Sequence, residues 1–111
     1  MALYQGEDIA ISLTGDTITN LNNNDFVMLL SPKLDDMENI IIQGNKFVYI
    51  EENDCYIYSI PKDVTTNMLG IYDMEIKIQN IKEPKNISIF KKENAIFIER
   101  SKVKDIDIEQ L

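Results

Sequence analysis

The residues of this chain that could do chemistry are carboxylates, tyrosines and one cysteine, because histidine is absent. Without histidine the chain lacks the commonest general base, the usual catalytic triads and most zinc sites. Cys55 stands between Asp54 and Tyr56, and neither neighbour stabilises the thiolate that a nucleophilic cysteine needs. We therefore expect Cys55 to be a buried or half-buried structural residue and the protein not to be an enzyme.

The carboxylates raise two further hypotheses, a glycosidase pair and a calcium site. A glycosidase pair would have to come from turn-like stretches that lack an aromatic platform, namely Asp35, Asp36, Glu38, Glu51, Glu52 and Asp54. Asp105, Asp107 and Glu109 share one side of an extended chain and offer oxygen ligands, but the glycine of a calcium loop is missing. Residues 22–25 resemble half of such a loop and are typical of a capped turn. The pattern favours a solvated or partner-facing acidic stripe, and we expect no metal and no cofactor.

Two tyrosines could form a platform for a sugar ring. Tyr56 and Tyr58 are two residues apart, so they share one face of a strand. The same placement suits packing against aromatic side chains on neighbouring strands. The sequence favours packing over a carbohydrate site.

Charge and composition restrict the partners. The formal net charge of -8 repels nucleic acid phosphates and anionic membrane surfaces, so we expect no direct nucleic acid partner and no membrane partner. Residues 1–8 contain no basic region or apolar stretch of the signal-peptide type, and one cysteine cannot form an internal disulfide. We expect the chain to fold inside a cell.

Short alternating or apolar runs recur about every ten residues, which is typical of a β-sandwich. The chain of 111 residues suits one domain, and Ile, Val, Tyr and Phe favour strands over helices. Gly44-Asn45 predicts a tight hairpin between 39–43 and 46–51, and 91–94 predicts a second hairpin connection. About eight runs are visible, at 7–13, 25–31, 39–43, 46–51, 55–60, 72–78, 87–90 and 95–98.

The stretch from Met68 to Ile78 is the clearest structural signal. Gly70 and Tyr72 form a Gly-x-Tyr corner that leads into a strict two-residue alternation. In immunoglobulin-like sandwiches a tyrosine here turns its hydroxyl back onto the preceding loop and stabilises the corner. One helical turn within 61–68 fits just before it, since Pro and Asp suit a helix N-terminus.

The ends of the chain are the predicted partner-binding regions. Residues 101–111 are dominated by charge and hold too few apolar side chains for a core strand. Such a charged arm with spaced isoleucines can add a strand to the sheet edge of a neighbour. We predict an all-β, immunoglobulin-like sandwich of about seven to eight strands over 1–100 and an extended C-terminal arm over 101–111. The predicted binding residues are Leu3, Tyr4, Val103, Ile106, Ile108 and Leu111.

Two segments resemble a known group of proteins. Residues 4–13 read Tyr-Gln-Gly-Glu-Asp followed by an alternating strand, and residues 60–76 combine Ile-Pro with Leu-Gly-x-Tyr and a second alternating strand. Together they resemble small immunoglobulin-like structural proteins of tailed bacteriophages, including the N-terminal immunoglobulin-like domain of baseplate upper proteins. The resemblance covers roughly residues 4–79. It lacks the cysteine pair and core tryptophan of antibody-type domains, with Met74 where those domains place a cysteine.

The resemblance implies a virion structural protein made in the bacterial host cytoplasm. A single small domain suggests an auxiliary or decoration capsid protein, or else a small tail or baseplate component. Its partners would be the major capsid protein or tail proteins, contacted in many symmetric copies. The acidic charge leaves an alternative open, an inhibitor or DNA mimic that occupies a basic groove on a host enzyme.

Overall fold

A computed structural model describes residues 3–14, 24–80, 82, 86–103 and 108–110. Strands dominate it, and one four-residue helix, α1, lies between the sixth and seventh strands. The strands are β1 (Leu3–Tyr4), β2 (Ile9–Thr14), β3 (Asn24–Pro32), β4 (Ile40–Gln43), β5 (Val48–Ile50), β6 (Cys55–Ile60), β7 (Gly70–Asn80) and β8 (Ile87–Glu99), and α1 spans Lys62–Thr65.

The strands form two sheets that face each other across one core. The larger sheet has the order β1-β8-β7-β3-β4, and the smaller has the order β2-β6-β5. All pairings are antiparallel except that of β1 with the end of β8, which is parallel. The predicted all-β sandwich is therefore confirmed, with eight strands among the described residues.

Two-residue alternation decides which side chains enter the core. On β2, Ile9, Ile11 and Leu13 are buried and the residues between them are exposed, as predicted. The inward residues of β7 are predicted by the same rule. The buried apolar cluster consists of Ile9, Ile11, Leu13, Met28, Leu30, Ile42, Phe47, Ile60, Met68, Tyr72, Met74, Ile76 and Ile98.

The predicted corner and its flanking helical turn are confirmed. Tyr72 is buried, and its hydroxyl oxygen accepts a hydrogen bond from the Leu69 N–H at 3.3 Å. Gly70 has a φ of 86°, a conformation that residues with a Cβ rarely adopt. Helix α1 falls inside the predicted interval, and Pro61 precedes it as the N-cap residue.

The prediction of a hairpin at Gly44-Asn45 is wrong. β4 pairs with β3 in the larger sheet, whereas β5 pairs with β6 in the smaller one. Gly44–Lys46 is a 3-10 turn that carries the chain from one sheet to the other. Gly44 is required there by space, since a Cβ at this position would lie 2.5 Å from the Phe26 carbonyl oxygen.

The prediction of a hairpin across 91–94 is also wrong. β8 is one strand of 13 residues that pairs along β7, with a bulge in which 93–95 lie opposite Asp73 alone. Asn94 takes a left-handed φ of 54°, and its N–H donates to Asp73 Oδ1 at 2.8 Å. The turn residues Glu93 and Asn94 therefore shape a bulge, because β7 is long enough to pair on both sides of it.

The predicted arm lies largely outside the described residues. β8 ends at Glu99, residues 101–103 are not in a strand, and Ile108–Gln110 form a short 3-10 turn. Nothing is described for 104–107 or Leu111, so the division into a sandwich and an extended arm stays a prediction. The asparagine-rich loop before β3 is described only from Asn24 onward.

Candidate docking surface

A groove lies where the N-terminal segment meets the chain that leaves β8. It has a volume of about 410 Å³, and we call it the terminal groove. Its lining residues are Tyr4, Gln5, Gly6, Glu7, Arg100, Ser101, Lys102 and Val103. The sequence predicted binding at both of these segments, and the fold brings them together at one end of the molecule.

Local hydrogen bonds shape the N-terminal wall of the terminal groove. Gln5 N–H donates to the Glu99 carbonyl at 3.1 Å, which continues the pairing of β1 with β8. The chain then turns at Gly6, whose φ is 83°. Tyr4 closes this turn twice, because its carbonyl accepts from Glu7 N–H at 3.3 Å and its N–H donates to Glu7 Oε1 at 3.1 Å.

Side chains join this wall to α1 and the corner. The buried Gln5 side chain donates from Nε2 to the Met68 carbonyl at 2.9 Å. Thr65 Oγ1 donates to the Glu7 carbonyl at 2.6 Å, and Asp8 Oδ1 accepts from Lys62 N–H at 2.9 Å. Residues 5–8 and 62–68 are thus one hydrogen-bonded unit, although they are far apart in the sequence.

The predicted partner-binding residues have different environments. Tyr4 is 41% exposed and Val103 is 67% exposed, and both line the terminal groove. Leu3 is half-buried and packs against the core, so its structure shows a packing role while its binding role stays a prediction. Ile108 is 81% exposed. Ile106 and Leu111 lie outside the described residues.

Sequence reasoning missed a second apolar surface, the outward side of the larger sheet, which we call the outer face. Ile41 on β4 is 68% exposed, and Ile89 on β8 is 70% exposed. Ile87 and Phe97 are also exposed on this side of β8. On β7 the outer face is charged, and Glu75 Oε1 lies 3.8 Å from Lys91 Nζ of β8, whereas Val27 and Leu29 of β3 are apolar on this side. The available signal was that the run from Phe26 to Leu30 is apolar on both faces.

The structure also bears on the cysteine, the possible metal site and a possible membrane span. Cys55 is buried, as predicted, and is not part of a disulfide. Within the described parts of the chain no three residues of the His, Cys, Asp or Glu type gather around a possible metal position. Glu109 is exposed, whereas Asp105 and Asp107 of the predicted acidic stripe lie outside those parts. The membrane-span criterion, a long apolar helix, is not met by any helix in the described residues.

The tyrosines that suggested a sugar platform pack against other aromatic rings, as predicted. The ring centroids of Tyr56 and Tyr49 are 5.0 Å apart, and Tyr58 lies 5.6 Å from Phe47. The pKa of Tyr49 is raised, mainly because its hydroxyl donates to Asp54 Oδ1 at 2.8 Å. The pKa of Tyr56 is raised by burial and then by the Asp54 charge.

We expect this aromatic cluster to make the fold sensitive to alkali. A raised pKa means that the folded state keeps the tyrosine proton longer than the unfolded state, whose pKa is about 10. The stabilisation is therefore complete below pH ~10 and is lost as pH rises through the raised pKa values of Tyr49 and Tyr56. Melting temperatures measured from about pH 8 to about pH 11, a range that brackets the ordinary tyrosine pKa of about 10, would show the loss.

A double Tyr49→Phe, Tyr56→Phe variant is the control for this prediction. It removes these two hydroxyls and leaves the other three tyrosines and the lysines in place. Its melting temperature should fall less steeply above pH ~10 than that of the wild type. An equally steep fall in both proteins would contradict the tyrosine explanation.

The two segments that sequence analysis singled out thus form one end of the sandwich, with a groove on its surface. No protein-family model matches the chain, and neither a curated protein nor a solved structure shows significant similarity to it.

Proposed function

We propose that this protein is a non-enzymatic structural component of a bacteriophage virion. It serves as an auxiliary or decoration capsid protein, or as a small tail or baseplate component. In this role it docks in many copies on a larger assembly through the terminal groove and residues 101–111. The negative charge of the chain faces solvent, and its partners are the major capsid protein or tail proteins.

One observation carries the proposal: the two segments that resemble phage immunoglobulin-like proteins contact each other. Gln5 reaches Met68, and Thr65 reaches the Glu7 carbonyl, at the end of the sandwich where Tyr72 stabilises the corner. A resemblance made of two separate motifs gains weight when both build one local structure. The terminal groove lies on the surface of that structure.

The size of the terminal groove fits docking in a symmetric array. A groove of about 410 Å³ offers a modest contact for each copy. In a symmetric assembly modest contacts accumulate, because every further contact to the same particle is intramolecular. No single strong anchor residue is then needed, and a groove lined by both polar and apolar side chains is sufficient for docking.

The first test is co-sedimentation of the chain with intact particles from its native source, measured by mass spectrometry of gradient fractions. Separation of heads from tails then assigns the location. Presence with heads at high copy number supports the capsid role, and presence with tails supports the baseplate role. Absence from both fractions overturns the proposal.

A matched pair of substitutions tests the surface. Val103→Asp places a charge in the terminal groove, whereas Val48→Asp places one at a similarly exposed position on β5 of the smaller sheet. We expect Val103→Asp to lower the copy number per particle by about tenfold, since avidity multiplies a small loss at each contact. Val48→Asp should incorporate normally. Equal incorporation of both variants would exclude this groove as the docking site.

A second candidate function, an acidic inhibitor of a basic host protein, is favoured by one observation. Asp36, Glu38 and Asp63 line a groove of about 460 Å³ beside α1. Inhibitor binding through such carboxylates would weaken steeply as salt rises, because exposed charges are screened. Docking through backbone pairing and apolar contact would change little over the same range of salt.

A further inference from the structure

We infer that the free edge of β8 accepts residues 104–109 of a second copy of this chain as an added strand. This inference goes beyond the proposed function, because it concerns contact between copies and is tested with the pure protein. The acceptor consists of residues 87–92, the first half of β8. Within the described residues, β7 pairs on one side of β8 and β1 covers only Ile98 and Glu99 on the other.

The acceptor edge is apolar and locally basic. Ile87 and Ile89 point to the outer face and are exposed, and Lys91 and Lys92 follow them. Residues 77–92 hold five lysines and one glutamate, so this stretch carries +4 in a chain of net charge -8. An edge strand with exposed isoleucines and lysines selects an incoming strand that is apolar on one side and acidic on the other.

Residues 104–109 have that pattern. Ile106 and Ile108 alternate with Asp105, Asp107 and Glu109, and Lys104 at the start of the segment is its one basic residue. Ile108 is 81% exposed on its own domain, and Ile89 is 70% exposed on the acceptor edge. The 3-10 turn Ile108–Gln110 would become extended on pairing. Pairing would place the two isoleucines beside Ile87 and Ile89 and the acids on the other side of the added strand, next to Lys92.

Distance requires the donor to be another copy. β8 rises about 3.3 Å per residue and its bulge adds two residues without adding length, so Ile89 lies roughly 26 Å from Glu99, where the C-terminal segment begins. Ile106 is seven residues beyond Glu99 and reaches at most about 25 Å from it when fully extended. β1 also occupies the edge beside residues 98 and 99. Since the chain must also pass around β1, the segment falls short of Ile89 and Ile87 on its own domain, and pairing in this register is head-to-tail between copies.

The lysines and the bulge have a simpler role as well, since both features protect sheet edges from indiscriminate pairing. That role is compatible with selective pairing. The bulge blocks strand addition at 93–95, and the lysines repel basic strands. Among the described residues, no strand pairs with the other edge of Ile87 to Lys92, which is long enough for a six-residue strand.

Sedimentation velocity of the full chain up to about 1 mM tests the inference. The wild type should associate in a concentration-dependent manner. Ile89→Glu at the acceptor and Ile108→Glu at the donor should each raise the dissociation constant by about tenfold or more, because a charge would be buried against an apolar strand. Ile41→Glu is the matched control, being equally exposed on the same face but on β4, and it should associate like the wild type.

Mixing the two defective variants identifies the geometry. Ile89→Glu keeps an intact donor, and Ile108→Glu keeps an intact acceptor, so the mixture should form a single 1:1 dimer and nothing larger. Lys92→Glu should weaken association, and Asp107→Lys in the same chain should restore it. The inference would be overturned by a wild type that stays monomeric, by a mixture of the two variants that forms no dimer, or by an Ile41→Glu variant that weakens association as much as Ile89→Glu. Far-UV circular dichroism of each variant confirms that the fold is kept.

Discussion

Replacing Tyr72 with alanine should lower the free energy of unfolding by about 4 kcal/mol, the largest effect we expect from any single substitution in this chain. The ring is 1% exposed and belongs to the central cluster between the two sheets. Its removal leaves a cavity and also deprives the Leu69 N–H of its acceptor. Urea unfolding followed by far-UV circular dichroism would measure the change.

Two controls separate the ring from the hydroxyl. Tyr72→Phe keeps the ring and loses only the acceptor, so it should cost about 1 kcal/mol. Tyr49→Ala removes an exposed tyrosine whose hydroxyl also makes one hydrogen bond, and it should cost no more than about 1 kcal/mol. If Tyr72→Phe destabilised the protein as much as Tyr72→Ala, the hydrogen bond and not the packing would be the main stabilising element of the corner.

Replacing Gly44 with alanine should lower the free energy of unfolding by about 2 to 3 kcal/mol. The added Cβ would meet the Phe26 carbonyl oxygen at 2.5 Å and the Phe26 ring at 2.7 Å. The oxygen belongs to β3 and cannot move without disturbing the pairing of β3 with β4 and β7. The clash therefore has to be relieved by a shift of the 3-10 turn itself.

Asn45→Ala discriminates between the crossing and a hairpin. In a tight hairpin of the predicted kind both Gly44 and Asn45 would have positive φ, and alanine at either position would be strained. In the 3-10 turn neither residue is among those with positive φ, and Asn45 is exposed. Asn45→Ala should therefore leave stability within about 0.5 kcal/mol of the wild type. Comparable losses at both positions would contradict the observed turn.

Much of the fold followed from local patterns. The alternation in residues 9–13 and 72–78 predicted which side chains are buried, because successive residues of a strand point to opposite faces. The corner at Gly70 and Tyr72 was predicted for a similar reason, since its hydrogen bond joins residues three apart. The predicted run 25–31 is also a strand, β3, which spans Asn24–Pro32.

Strand partners were harder to predict. Gly44-Asn45 and Glu93-Asn94 have the composition of hairpin turns, yet one lies in a crossing between sheets and the other in a bulge. Turn residues report that the backbone bends or takes a positive φ, and they do not specify which strand comes next to which. That choice depends on packing between residues that are distant in the sequence.

The candidate surfaces were likewise predicted in part from the sequence and decided in part by the tertiary structure. The sequence by itself determined that the chain is an acidic, histidine-free β protein with an alternating corner strand and a charged C-terminal segment, because composition and two-residue periodicity are local properties. Only the tertiary structure decided that Tyr4 and Val103 share a groove, that Gln5 bonds to Met68, and that among the described residues the first half of β8 pairs on one side only. These facts follow from sheet order and register, which are set by the joint burial of the inward-facing residues of β2, β3, β7 and β8 in one core.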